Sequence, residues 1–500
     1  MNAQLLLEIQ LVAYNCKTGT IVNISKLTTN LTFLFGSVLF LTSCRAETPP
    51  AGSTVEKSII DRVEISVETP TLDVIFVEAR INDAITLPND RNPNDINLPS
   101  GTIPMRICLA QGEEEACAMA IPNEPLSLFA IFNGEKNEFA VNYPGPLATF
   151  DEAYRAAYKG KVRVEVPEVY ELVNIAITLS DYAKENPDAI APSPYADEVR
   201  AHFSPWGEHP FIQAVNALFE SDGGMYAILK MKGAAFDFTA GATIKRSDIY
   251  KNIGWGQNVL IPLQSQMSDF AERSGFRTFY DEHRPLYRAQ INEIQTDINL
   301  REMWDWLQGQ FPDVQAYDTV RVLFSPLVGY NQSLATFDSN GFRELQPHVN
   351  FPRLVASRNR SDAADEAVRG VPLFTELNHG FINPVTDAMT DEIYTAMGAD
   401  LTPYVRANSA ATSYNGHTAV YTEMLNWALV SVYAQSKLDE ATALEVSQNI
   451  SDSMVNGRGF KRFEAFQDAL LQITGSPEGP SISEAIERLA TTDAKKWTVE

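Results

Sequence analysis

The hydrophobic pattern of this chain changes period near Pro167, and that change limits the folds open to it. Before it, short β-branched and aromatic segments (TLDVIFVEARI, IPMRICLA, LSLFAIF, NEFAVNY, KVRVEV) alternate with the turns PNDRNPND, QGEEE and NGEKN. This texture reads as strands. Residues 57–166 are expected to form a β-rich, sandwich-like domain with one short helix at PLATFDEAYRAAYKG. After Pro167, apolar residues recur at helical spacing, beginning with Val169, Leu172, Val173, Ile175 and Ile177. Further helices are predicted near 209–220, 258–275, 280–311, 388–397, 417–437, 438–455, 460–474 and 481–490. One strand pair, TVRVLFSPLVG and SLATF, interrupts them. The expected fold class is α+β: a β-sandwich-like domain, then an α-rich domain over 167–500 with a small sheet.

The N-terminus carries a targeting signal rather than a structural element. Residues 31–41, LTFLFGSVLFL, form an apolar run of 11. A bilayer-spanning helix needs about 20 residues, whereas a signal-peptide core is of this length. Lys17 and Lys26 precede the run, and Leu41, Thr42, Ser43 and Cys44 follow it. This ending resembles the bacterial lipobox, which implies a signal peptide over 1–43 and a lipid on Cys44. The residue after Cys44 is Arg45 rather than an aspartate. By the same resemblance, that favours the outer membrane, facing the periplasm or the cell exterior. Residues 44–56 have the Pro/Gly/Ser composition of a flexible tether.

With Cys16 removed and Cys44 lipidated, Cys108 and Cys117 remain. They flank the polar turn QGEEEA, so a hairpin would bring them together for a disulfide in an oxidising compartment. Two thiols are too few for a cysteine metal site. The chain's net charge is -25, and its basic residues are scattered. Counterion displacement from phosphates needs a basic footprint, so nucleic acid is not expected as a partner. The sequence has no GxxxxGK[ST], dinucleotide-type GxGxxG or GxSxG motif, which argues against nucleotide and α/β-hydrolase chemistry.

Two lone carboxylates carry the functional signal. The segment 370–384, GVPLFTELNHGFINP, is nearly all apolar but contains Glu376 and His379. On a helix these are three apart and share a face, and Asn383 is four beyond His379. The segment 417–436 reads as a long buried helix whose only formal charge is Glu423, among Val420, Trp427 and Val430. A buried carboxylate is costly unless it is paired or binds a metal. The two elements together form a candidate metal or acid/base constellation.

FTELNHGFINP, YTEMLNWA and NGRGFKRFEAFQDALLQI, with PEVYELVNIAITLS and FSPWGEHPF, resemble a bacterial secreted family of unknown function. That family looks like the gluzincin metallopeptidases, and the similarity covers roughly 167–475. A gluzincin carries HExxH on one helix and a third zinc ligand, Glu, on a later one. The resemblance implies a zincin-like second domain, Glu376 as general base, and His379 and Glu423 as ligands of a zinc. Thr375 stands where the first His ligand belongs. His417, His209 and His348 are the candidate replacements, although His417 reads rather as a helix cap or surface residue, with oxyanion stabilisation as its alternative, and His209 as a structural residue at a helix start. NGRGFKRFEAF reads as a turn at Gly457 and Gly459 followed by a packed helix, with no chemical role. The expected function is a lipid-anchored envelope protein acting as a metal-dependent hydrolase on a peptide substrate. The alternatives are a catalytically inactive zincin-like protein that binds a peptide or glycan, or a purely structural lipoprotein.

Overall fold

The computed structural model describes residues 126–132, 135–254, 256–357, 359–475 and 480–498. Earlier in the chain it describes 4–9, 12–15, 20–23, 27–32, 62–66, 78–81, 84–85, 95–98, 104–111 and 114–124. Cys44, the tether and most of the 31–41 run lie outside the described residues. The chain divides into two compact units: Met1–Leu147 with Trp255–Ile261, and Ala148–Gly254 with Pro262–Glu500. Among the described residues, no helix is long and apolar enough to cross a membrane.

In the first unit, strands pair both antiparallel and parallel, and two of the antiparallel hairpins follow the sequence pattern. Met105–Gln111 pairs with Glu114–Ala120, and Leu126–Phe132 with Glu135–Asn142. In the former, Cys108 lies directly opposite Cys117. Facing residues of an antiparallel pair have Cα atoms about 4.5–5.5 Å apart, within the span that a disulfide bridges.

The second unit is a mixed α/β fold built on one four-stranded sheet. Strand β1 (Val162–Glu165) is followed by helix α1 (Glu168–Leu179) and the short helix α2 (Leu229–Gly233). Three further strands come next: β2 (Thr319–Ser325), β3 (Ser333–Ser339) and β4 (Phe342–Asn350). The helices that matter for the site are α3 (Val371–Asp387), α4 (His417–Lys437), α5 (Glu440–Asp452) and α6 (Phe463–Thr474). The sheet order is β1-β2-β4-β3, parallel except for β3, which runs antiparallel to β4.

Two of these strands depart from the sequence pattern. KVRVEV, grouped by its alternation with the N-terminal strands, pairs with β2 of the second unit. FRELQPHVN forms β4, a strand the periodicity does not announce because Glu344, Gln346 and His348 are all buried. Glu344 is satisfied by the Tyr154 and Tyr250 hydroxyls at 2.6 Å and by Arg163 at 2.8 Å. The helical run over 280–311 divides into Phe276–Asp297 and Leu300–Gln310, with Asn299 capping the second.

Helix α3 packs against β3 and β4 on one side and against α4 on another. It lies close to the sheet because position 380 is glycine. An added Cβ there would sit 2.3 Å from Leu345 Cδ2 and 3.3 Å from the Tyr317 hydroxyl. That hydroxyl donates to the Gly380 carbonyl at 2.9 Å and fixes the approach. Leu345 is fully buried, so it has little room to yield. Gly380→Ala is therefore expected to destabilise the chain by about 1–3 kcal/mol despite its better helix propensity. Denaturant unfolding of the two proteins checks this, and equal midpoints would contradict it.

Candidate functional site

Helices α3 and α4 bring the predicted residues together. Glu376 and His379 share a face of α3, and Glu423 projects from α4. His379 Nε2 lies 3.7 Å from Glu423 Oε2. Glu376 and Glu423 are buried, whereas the His379 side chain keeps 22% of its exposure. His379 is thus the cluster's contact with solvent.

Glu423 already has partners. Arg458 approaches Oε1 at 2.6 Å, and the Trp427 indole N–H donates to the same oxygen at 2.8 Å. Burial alone would raise this carboxyl; Arg458, His379 and Tyr414 outweigh it and hold the group below its ordinary range. The Arg458 guanidinium is walled by the rings of Trp427, Tyr414 and Phe460, at 4.9, 5.6 and 5.6 Å. Its place follows from a π-helical turn, Ser453–Arg458, that closes at Gly459 in the left-handed region (φ 92°). The expected turn is present, but it serves to aim a cation. Sequence reasoning gave Arg458 no role. The signal was available: a lone buried glutamate requires a cation.

His379 is also engaged on both ring nitrogens. The Asn426 amide donates to Nε2 at 2.9 Å, and Nδ1 donates to Asn383 Oδ1 at 3.0 Å. Asn426 Oδ1 in turn accepts from Asn378 Nδ2 at 3.0 Å, which fixes the amide's orientation. His379 is thereby held as the Nδ1–H tautomer, with its Nε2 lone pair occupied.

Among the described residues, Glu376 has no arginine of its own. Burial pushes its carboxyl up to about 7; Glu423 adds to the rise, while His379, Lys230 and Arg458 oppose it. Lys230, on α2, is itself buried, and its amine is pushed down to about 7 by burial against the pull of Glu376. Its ammonium donates to the main-chain carbonyls of Asn331 and His348. In the sequence, LKMKG reads as an ordinary surface alternation, and nothing local marks Lys230 as buried.

The position that departs from HExxH does not supply a ligand. The Thr375 hydroxyl turns back to the carbonyls of Val371 and Pro372, at 3.1 and 3.2 Å. None of the three candidate replacement histidines completes the cluster. His209 caps its helix through Phe211 N–H and bonds Asp269 at 2.9 Å. His348 bonds Gln346 at 3.0 Å and packs on Tyr170. His417 begins α4 and packs on Tyr394. Among the described residues, no three His, Cys, Asp or Glu side chains come together so as to hold a metal ion. A catalytic zinc needs three protein ligands and an open position. Here one ligand is missing, the His379 lone pair accepts an amide N–H, and a guanidinium lies on the Glu423 carboxylate. The residues present do not fit a catalytic zinc. Comparison of the chain with known protein families, curated proteins and solved structures finds no match in any of the three.

The site generates one pH prediction. Glu376 holds its proton more tightly in the folded chain than in the unfolded one, where a carboxyl titrates near ~4.3. Its ionisation therefore costs stability as pH rises from that range through about 7. Glu376→Gln removes this cost. The variant should be more stable than wild type at pH 8, by roughly 2 kcal/mol, with the advantage fading towards pH 5. Urea melts at the two pH values check it; an advantage that grows towards acid would contradict the burial account.

Proposed function

We propose that this chain is a lipid-anchored envelope protein whose second unit is zincin-like in layout and works without metal, as a catalytically inactive binding module. The observation that carries this reading is the Arg458 guanidinium 2.6 Å from Glu423 Oε1. A fixed cation at the carboxylate neutralises it permanently and opposes a divalent ion at the same place. The zincin-like layout is supported by a helix bearing Glu376 and His379 on a small mixed sheet and by a later helix bearing Glu423. The anchor rests on the LTSC ending before residue 45. A β-sandwich-like first domain rests on the strand pattern of 57–166 and the two hairpins.

Metal content of the mature chain, made without lipid or affinity histidines, tests the reading. After zinc incubation and dialysis, wild type is expected to retain far less than one equivalent. The double variant Thr375→His, Arg458→Met, which restores the missing ligand and removes the cation, is expected to take up zinc. Stoichiometric zinc in wild type, lost in His379→Ala and Glu423→Gln, would sink the metal-free reading and reinstate metal-dependent hydrolysis.

The envelope location also makes a statement about the thiols. A form lacking residues 1–44 has only Cys108 and Cys117, which face each other across their hairpin. Secreted from the cell and then denatured without reductant, it should show no free thiol. Reduction should release both. Two free thiols before reduction would remove the disulfide.

A further inference from the structure

At the carboxyl ends of the parallel strands β2 and β4 lies a cavity of about 340 Å³. Its walls include Val328, a few residues past β2, and Phe351, immediately after β4; Pro372, in the first turn of α3, also lines it. Loops at the carboxyl ends of parallel strands are a common place for small ligands in α/β sheets. The volume falls at the small end of the range of ligand pockets, about 300–1,000 Å³.

The charges on its wall are unequal in commitment. Three arginines and two aspartates line it: Arg353, Arg360, Arg369, Asp188 and Asp365. Arg360 is paired with Asp365 at 2.7 Å. Arg369 is held by Glu293 and by Asp297, and its Nε donates to the Pro352 carbonyl at 2.9 Å. Arg353 differs. Its one bond is to the main-chain carbonyl of Pro192, and it has no carboxylate partner among the described residues. An arginine has five N–H donors in a planar fork, so most of this one's capacity is unspent.

Val328, Phe351, Pro372 and Val355 give the wall apolar surface, and the polar Asn350 beside them is engaged with Gln332 and the Gly329 carbonyl. At the rim, Val355 keeps 67% of its exposure and its neighbour Leu354 keeps 49%. A single open guanidinium beside apolar walls suits a monoanion with a hydrophobic body. A phosphate dianion would call for more than one open cation.

We propose that this cavity binds a small organic carboxylate with an aliphatic body, of amino-acid or short-peptide C-terminal size, with Arg353 as the fork that receives the carboxylate. The site is separate from the Glu376 cluster and does not rest on the metal-free reading.

Calorimetric titration of the mature, lipid-free chain tests it with four probes: N-acetyl-L-leucine, L-leucine, L-leucinamide and a tripeptide ending in leucine. N-acetyl-L-leucine is expected to bind with a dissociation constant below about 1 mM, and the amide at least tenfold more weakly. Whether free leucine or the tripeptide binds more tightly distinguishes a free amino acid from a peptide terminus as the source of the carboxylate. Arg353→Ala should weaken the acid at least tenfold without changing the thermal midpoint. Arg353→Lys, which keeps the charge but loses the fork, should recover only part of that loss. Equal affinity for acid and amide, undiminished affinity in Arg353→Ala, or no heat with any probe at about 10 mM would each overturn the proposal.

Discussion

A carboxylate inside a bundle of helices has to be neutralised, and the ion pair between Glu423 and Arg458 does this for the centre of the second unit. Helix α4 packs against α3, α5 and α6, so a charge on it has little access to water. Removing one partner of such a pair strands the other, at a cost of roughly 3–5 kcal/mol. Several local features serve that pairing. The π-helical turn after α5 carries Arg458 to the carboxylate, Gly459 lets the chain leave in a left-handed conformation, and three aromatic rings surround the guanidinium. The indole of Trp427 adds a neutral donor to the same oxygen.

Glu376 is treated differently, and the contrast explains the division of labour in the cluster. It has no hydrogen-bonded cation, only the longer-range field of Lys230, His379 and Arg458. One carboxylate is therefore held ionised and the other is pushed towards its neutral form. Two acids placed close together commonly separate in this way, because burial and a single cation cannot serve both equally.

Much of the site was legible in the sequence, because a lone charge in an apolar helix is conspicuous. Glu376, His379 and Glu423 stood out for that reason, and the structure gathers them. Their counterions did not stand out. Arg458 sits in a glycine-rich turn and Lys230 in an alternating KMK, both contexts in which a cation ordinarily faces water. Most helices were visible from their period, but Pro194–Phe203, Asp362–Arg369 and β4 were not. The buried Glu344, Gln346 and His348 of β4 imitate a solvent-facing row, and only their tertiary partners reveal otherwise. The Asn340-Gly341 pair, with φ of 55° and 71°, is a strong signal for the hairpin joining β3 to β4. It would have identified the strand from the turn rather than from the pattern.

The chain of amides behind His379 ties the orientation of each side chain to that of the next. The His379 Nε2 faces the Asn426 amide nitrogen, and the oxygen of that amide is taken by Asn378. Turning the Asn426 amide over would present its oxygen to that ring nitrogen. Its nitrogen would then face the Asn378 nitrogen, two donors head to head, so Asn378 must turn as well. Asn378 Oδ1, which has no partner among the described residues, is the acceptor that such a rotation brings into use. The two amides can therefore reverse only together, so the orientation of one asparagine is set by its neighbour on the facing helix.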